Sequence, residues 1–479
     1  METIIQEKIS EAVEEIVKKA VGGEIFHFYE YTEDVLEICK RTAVSAIEAT
    51  VVVLNEEIRK DKAARKESGL TLHKREQSRY LETRIGRIEI KRDYYFNTKT
   101  GSYEFPVDEI LGLVKRERVG ADLASEMVEN ATRYSYAKSA EIVTGGAVSR
   151  QTARNKLLKV GPQEKKIEED SKREVEELHI FADEDHVHMQ KPGKVRGKAN
   201  QIVPLVTVTE GMISCGSRRK LFRPMHFVDP GFNTARLWES VEGYILKAYD
   251  LESLKHIYIH GDGAPWIVKG LESFPQTVHV MDEFHFNQNV KKVSSRFRNY
   301  NVRHRIREAI KDDDLKKALA VLDSLYNASD MNEDNSDAVE ELRTYLMNHW
   351  EAIVRRFSLN LPGCCTEGLV SHLLSERVSR DPQGWGKEGL GALTSLRIFC
   401  ENGGSVDYTY MIDGKTEKHS YAELAEEYIA EAVNGSFDWS IFEHQPPIFD
   451  GNSGTQRLLS TIGLEKSNII GIGQAFYQL

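Results

Sequence analysis

Leu178-His-Ile-Phe-Ala-Asp-Glu-Asp-His-Val-His-Met189 is the stretch on which the fold turns. Its apolar positions alternate with polar ones, which predicts a strand with Asp183 and Asp185 on one face. Two more strands are predicted, Gln201 to Thr209 and about Lys220 to Phe227, then a helix around Thr234 to Ala248. A further strand, His256 to His260, runs into Gly261-Asp-Gly-Ala-Pro265, and another, Thr277 to Met281, runs into Asp282.

Three sequential strands, a helix, then alternating strands and helices predict an α/β, ribonuclease-H-like core, a mixed sheet covered by helices. In that topology the first strand lies at the sheet centre and the fourth beside it, which brings Asp183 and Asp262 together. Two adjacent carboxylates repel unless a cation neutralises them, and hard oxygen donors favour Mg²⁺ or Mn²⁺. Asp185 competes with Asp183 as a ligand on the same strand face, and Asp262, between two glycines, also suits a plain Asx turn. The third carboxylate follows a long helical stretch, Asn287 to Phe357, in Leu361-Pro-Gly-Cys-Cys-Thr-Glu-Gly-Leu-Val370. Thr366 is expected to cap a helix starting at Glu367. Glu376, nine residues on, falls about half a turn out of phase with Glu367 on a straight helix.

Asp183, Asp262 and Glu367 are therefore the candidate catalytic and metal-binding residues, holding two divalent ions that activate a water or DNA 3′-hydroxyl and stabilise the leaving oxygen. Asp282 and His285 are supporting candidates: the aspartate to orient the imidazole, the imidazole to contact a phosphate of the cut strand. The alternating His186 and His188 suit zinc poorly, with no cysteine nearby.

Working outward, residues 1–70 read as helices, Glu7 to Ala20 and about Thr32 to Ala64, and residues 71–118 as a β-hairpin module that serves folding, self-association or DNA contact. Residues 119–160 read as a helix-turn-helix-like region whose second helix, capped by Ser149, offers Arg150, Gln151, Arg154 and Asn155 to DNA; a structural helical hairpin has the same pattern. A charged linker spans 161–177. The core occupies 178–286 and 361–400, an all-helical insertion fills 287–360, and a C-terminal region covers 401–479, with a loop and strand near Asn402 to Tyr410 and a helix over Tyr421 to Ala432.

The chain has 479 residues, 40% hydrophobic and 29% charged, which suits an ordered globular protein of several domains. Its net charge of −11 disfavours a surface uniformly coated for nucleic acid. The basic residues are instead clustered: Lys291, Lys292, Arg296 and Arg298 lie in a stretch free of carboxylates and are further DNA-binding candidates. Five cysteines without CxxC spacing suggest reduced thiols. With no apolar run long enough to span a bilayer and no signal-like start, a cytoplasmic, nucleoid-associated protein is expected.

Ala182-Asp-Glu-Asp-His-Val187, Gly261-Asp-Gly-Ala-Pro-Trp-Ile267, Met281-Asp-Glu-Phe-His285 and Cys365-Thr-Glu-Gly-Leu-Val-Ser-His372, with Ser375, Arg377 and Gly384-Trp-Gly386, carry a resemblance. Together with Tyr94-Tyr-Phe96 and Asp108-Glu-Ile-Leu-Gly-Leu113, they resemble the bacterial insertion-sequence transposases long grouped as an uncharacterised protein family and distantly similar to Mutator-type transposases. The resemblance covers most of residues 75 to 400. It implies that Asp183, Asp262 and Glu367 form a DDE triad, that Asp282 and His285 match an Asp-x-x-His element, and that the helical stretch is the insertion of such enzymes. It further implies recognition of double-stranded DNA at element ends, metal-dependent cleavage there, and 3′-hydroxyl attack on target DNA by a homodimer or higher homo-oligomer. Glu184 stands where relatives commonly have glycine, which leaves both Asp183 and Asp185 open as first ligand. The alternatives are a metal-dependent DNA nuclease without strand transfer and a catalytically inactive DNA-binding regulator.

Overall fold

The computed structural model describes residues 2–22, 27–165, 172–190, 200–216, 218–270, 272, 274–381 and 383–411. The helix expected over Tyr421 to Ala432 lies outside them. The described residues divide into two compact units, one within residues 2–79 and 89–115, the other within residues 80–88 and 116–411.

In the first unit, α1 (Glu2–Val21) packs against α2 (Phe28–Lys60), and Asp61 accepts from the Ala64 amide to start α3 (Lys62–Ser68). A three-stranded sheet follows, β1 (Leu70–Thr83), β2 (Gly86–Asn97) and β3 (Ser102–Glu104), then α4 (Pro106–Ile110). Strand β1 starts well before Leu81, where alternation first becomes evident, because Thr71 to Ser78 is largely polar and solvent-facing. Asp108 accepts from Arg79 and Arg92, tying α4 to both long strands.

The second unit opens with α5 (Ala121–Arg133), α6 (Tyr136–Thr144) and α7 (Arg150–Val160). Gly145 takes the left-handed conformation at φ 59°, which ends α6, and the Ser149 hydroxyl accepts from the Thr152 amide to begin α7. The central sheet contains β4 (Glu177–His188), β5 (Asn200–Thr209) and, after a separate ribbon of β6 (Met212–Cys215) and β7 (Arg218–Leu221), the short β8 (Met225–Phe227). Next come α8 (Thr234–Ala248), β9 (His256–Gly261), α9 (Pro265–Lys269) and β10 (Thr277–Met281). The third strand is thus shorter than expected. Arg223 sits at φ 49°, outside the extended region, and Pro224 lacks an amide donor, so the strand is interrupted there and Lys220 and Leu221 pair within the ribbon instead.

The sheet order is β10-β9-β4-β5-β8, with β5 antiparallel to β4 and β8, and β4, β9 and β10 parallel. The first strand therefore lies at the centre with the fourth beside it, in a mixed α/β architecture flanked by helices. Strand alternation divides the faces. Leu178, Ile180, Ala182, Val206 and Val208 bury against α8, whereas Val187, Val203 and Leu205 join a second core with α5 and α7.

After β10 the chain becomes helical: α10 (Glu283–Ser294), α11 (Val302–Lys311), α12 (Leu315–Asp323) and α13 (Glu333–Ser358) share their own apolar core. The polar run Met331 to Asp337 contains the start of α13, capped by Asn332. Then α14 (Thr366–Val370) runs through a π-helical turn at Ser371–Ser375 into α15 (Glu376–Val378), and α16 (Lys387–Glu401) follows. The wide turn frees carbonyls, and buried Arg397 donates to those of His372 and Leu373. Arg397 also donates to Thr132 O, and Arg377 to Ala131 O, both at the end of α5. Tyr408–Met411 forms a 3₁₀ turn rather than the expected strand.

Candidate metal centre

Pairing of Phe181 with His260 places Asp183 and Asp262 two residues further along adjacent parallel strands. Met281 pairs with Gly261, and the Asp282 amide donates to Gly261 O at 2.9 Å, so a third acid stands at the next strand end. Asp183, in the middle of β4 just beyond its last pairing with β9, thus stands in a row with Asp262 and Asp282, which directly follow β9 and β10. Gly263 at φ 88° completes the turn after Asp262; a Cβ there would lie 2.6 Å from His349 Cε1 on α13, so only glycine fits.

Glu367, in the first turn of α14, comes to this edge from far along the chain. Ligand atoms of Asp183, His285 and Glu367 lie within 4.8 Å of one another, with Asp183 buried, His285 half-buried and Glu367 exposed. Asp262 is outside that group; its Oδ1 accepts from the Ala264 amide at 2.8 Å, an Asx turn. Asp185 faces the same side of β4, but its Oδ2 accepts from the Ser379 hydroxyl at 2.8 Å. Glu376 points elsewhere, 3.9 Å from Arg397.

Burial raises the Asp183 carboxyl to about 6, assisted by the negative fields of Asp262 and Asp282 and opposed by the Glu184 amide and His285. Asp282 is fully buried, and burial alone would raise it too. Interactions with His285, Cys364 and Thr366 outweigh that and hold it well below the usual carboxylate range. Its Oδ1 accepts from the amides of Phe284 and His285, capping α10, and its Oδ2 accepts from the Cys364 thiol. His285 Nδ1 lies 3.4 Å from Asp282 Oδ1, long for a hydrogen bond but within ion-pair range. Asp282 accordingly lifts His285 to about 9, with Asp183 and Asp262 adding to the effect. A charged imidazolium therefore stands between two acidic side chains at neutral pH.

Cys364, which sequence reading passed over, and Thr366, which it read only as a helix cap, join this network. Thr366 is the first residue of α14 rather than its cap, and its hydroxyl lies 3.1 Å from the Cys364 sulfur. The only sequence signal was position, immediately before Glu367. Asp282 thereby ties the end of β10 to the segment that carries Glu367.

The remaining candidates are dispersed. Arg150, Gln151 and Asn155 are exposed on α7 and Arg154 half-buried, with Gln151 donating to Asn155 at 2.8 Å. Lys291 and Arg298 are exposed; Lys292 pairs with Glu341, and Arg296 donates to Asp334 O at 2.6 Å and Asn335 at 3.2 Å. No helix among the described residues is long and apolar enough to cross a membrane.

The profile of UPF0236, an uncharacterised protein family, matches residues 22–415. The chain belongs to UPF0236. A UPF0236 protein of Caldanaerobacter subterraneus subsp. tengcongensis is 33% identical over 83% of each chain. A second from the same organism is 32% identical over 90% of this chain and 91% of its own. Among solved structures, a Drosophila P element transposase strand transfer complex aligns over 70% of this chain and 90% of that one. Its 13% identity and TM-score of 0.21 carry no argument about this UPF0236 chain.

Proposed function

We propose that this chain is a DNA transposase with a ribonuclease-H-like core, acting on double-stranded DNA as a homodimer or higher homo-oligomer. The observation that carries the reading is the row of Asp183, within the central strand, and Asp262, at the end of the adjacent parallel strand, with Glu367 delivered to the same place by a helix after an all-helical insertion. A second support comes from the relatives: one name joins eleven locus designations of a single genome and another joins four, as expected of an element that copies itself.

The donor set fits divalent ions. Asp183, Asp262 and Glu367 supply hard oxygens, and burial, with smaller contributions from Asp262 and Asp282, disfavours the charged form of Asp183 until a cation compensates it. Two Mg²⁺ or Mn²⁺ ions, when bound, would polarise the scissile phosphate and the attacking hydroxyl. His285 is assigned to phosphate rather than to metal, because an imidazolium held by Asp282 has no lone pair to donate. Asp282 orients that imidazolium and fixes the approach of Glu367 through Cys364 and Thr366. Helix α7, with Arg150, Gln151, Arg154 and Asn155, is assigned to reading the element ends, and Lys291 and Arg298 to backbone contact.

The test incubates purified protein with labelled DNA carrying candidate element ends, target plasmid and Mg²⁺, and separates hydrolysed from joined products. Joined products, abolished in Asp262→Asn and Glu367→Gln while end binding persists, are expected. Cleavage without joining turns the reading to a nuclease, binding alone turns it to an inactive regulator, and cleavage retained by either variant refutes the triad.

A further inference from the structure

The ribbon of β6 and β7 belongs to neither the central sheet nor any function assigned so far. Its segment Gly211-Met-Ile-Ser-Cys-Gly-Ser-Arg-Arg-Lys-Leu-Phe-Arg223 contains four cations and no carboxylate. An isolated two-stranded ribbon is marginal in water, so what holds it matters. Its base is fixed: Phe222 donates to Gly211 O at 2.9 Å, the Glu210 amide donates to Phe222 O at 3.2 Å, and Thr209 donates to Phe222 O at 2.6 Å. Arg223 and Arg173 both pair with Glu210, so that cation is neutralised at the root.

Further out the situation is different. Arg219 and Lys220 are exposed, and among the described residues neither has an ion pair or side-chain hydrogen bond. Register places Arg219 opposite Ser214 and Lys220 opposite Ile213, hence on opposite faces of the ribbon. The Arg219 guanidinium reaches the metal-centre rim, with Nη1 3.5 Å from where a Cβ on Gly363 would stand. Gly363 is four residues before Glu367. The rim segment is itself braced, since Arg356 donates to Pro362 O at 2.7 Å.

We propose that this ribbon is a phosphate-gripping arm, with Arg219 binding a backbone phosphate of the DNA strand that enters the Asp183, Asp262 and Glu367 edge and Lys220 adding a second backbone contact. The inference rests on the DNA reading above and gives it a contact that the helical DNA-binding candidates do not supply. An unpaired guanidinium is suited to the task because its planar fork takes two phosphate oxygens at once. A two-stranded ribbon is also narrow enough to lie in a duplex groove.

The experiment titrates full-length protein against a fluorescent duplex of arbitrary sequence over a range of salt concentrations, comparing wild type, Arg219→Ala, Lys220→Ala and the double variant. Each lost phosphate contact is expected to reduce the slope of log affinity against log salt by roughly 0.9, and the double variant by roughly twice that. Mn²⁺ binding followed by electron paramagnetic resonance is expected to stay unchanged, because neither residue is a proposed ligand. Arg219→Lys, which retains the charge, is expected to keep the slope. A wild-type slope in the double variant overturns the arm while leaving the transposase reading standing; a wild type that binds no duplex at low salt overturns both.

Discussion

Asp282→Asn is nearly isosteric, yet it removes the charge that holds His285 protonated. In the wild type His285 sits at about 9 against an ordinary 6.5, chiefly through the Asp282 carboxylate. A shift of that size corresponds to roughly 3 kcal/mol of preferential stabilisation of the imidazolium in the folded state. The sign follows from proton counting: the folded state binds a proton that the unfolded state has released, so the contribution is complete below 6.5 and disappears as pH rises through 9. The depressed Asp282 sets the other edge, since its contribution fades only as pH falls below the ordinary carboxylate value of 3.8. Between the ordinary carboxylate value of 3.8 and 6.5 the wild type should exceed Asp282→Asn by roughly 3 kcal/mol in urea unfolding with chelator present, and that excess should shrink as pH rises from 6.5 and mostly vanish above 9. The Asn side-chain oxygen can still cap α10, so a smaller, pH-independent loss of about 1 kcal/mol remains from the Cys364 and Thr366 side. An unfolding difference that is the same on both sides of that upper limit would refute the ion-pair account, as would an imidazole resonance titrating near 6.5 in the wild type.

Two glycines of α16 make a sharper pair. A Cβ on Gly391 would stand 2.1 Å from Pro230 O, whereas one on Gly389 meets nothing within 4 Å. Gly391→Ala is therefore expected to destabilise by about 1–3 kcal/mol, and Gly389→Ala to stabilise by up to about 1 kcal/mol, both read by thermal or urea unfolding. Burial holds His226 at about 4, with its Nδ1 2.8 Å from the Thr207 hydroxyl. Because the unfolded state takes up this proton first, stability should fall by roughly 3 kcal/mol as pH drops from 6.5 to 4, and His226→Gln should flatten that slope. Arg150→Ala combined with Arg154→Ala is expected to reduce sequence-specific affinity in gel shifts at fixed salt, and unchanged affinity would dismiss α7 as the reader.

What could be read in advance was local or periodic. Strand alternation around Asp183, the strand-to-glycine transition at Asp262 and the Ser149 cap each leave a mark within a few residues. The β6–β7 ribbon went unread because Met212 to Leu221 is short and half polar, and its division from β8 depends on the unusual backbone of Arg223. Sequence reading places Asp183, Glu367 and His285 in one site, but not that these three lie closest together with Asp262 outside their group. Those side chains come from a strand and two helices, with the insertion between His285 and Glu367, and no periodicity spans that distance. Cys364 and Thr366 are ordinary in sequence and gain importance only because Asp282 is buried beside them. Lys292 and Arg296 show the converse: a dense basic run in the sequence is partly consumed by contacts to α13.

The two arginines at the end of α5 make a mechanical unit of parts that are remote in the chain. Arg377 and Arg397 are both buried, and both anchor carbonyls of α5 while one of them also anchors the π-helical turn beyond Glu367. If α5 slid away, each guanidinium would be left with an unanswered donor in a dry interior, at a cost of about 1–3 kcal/mol apiece. Moving the turn along with it costs nothing of that kind. Since α5 leads directly into α6 and α7, these hydrogen bonds connect the helices that carry Arg150 and Arg154 to the helical segment that holds Glu367.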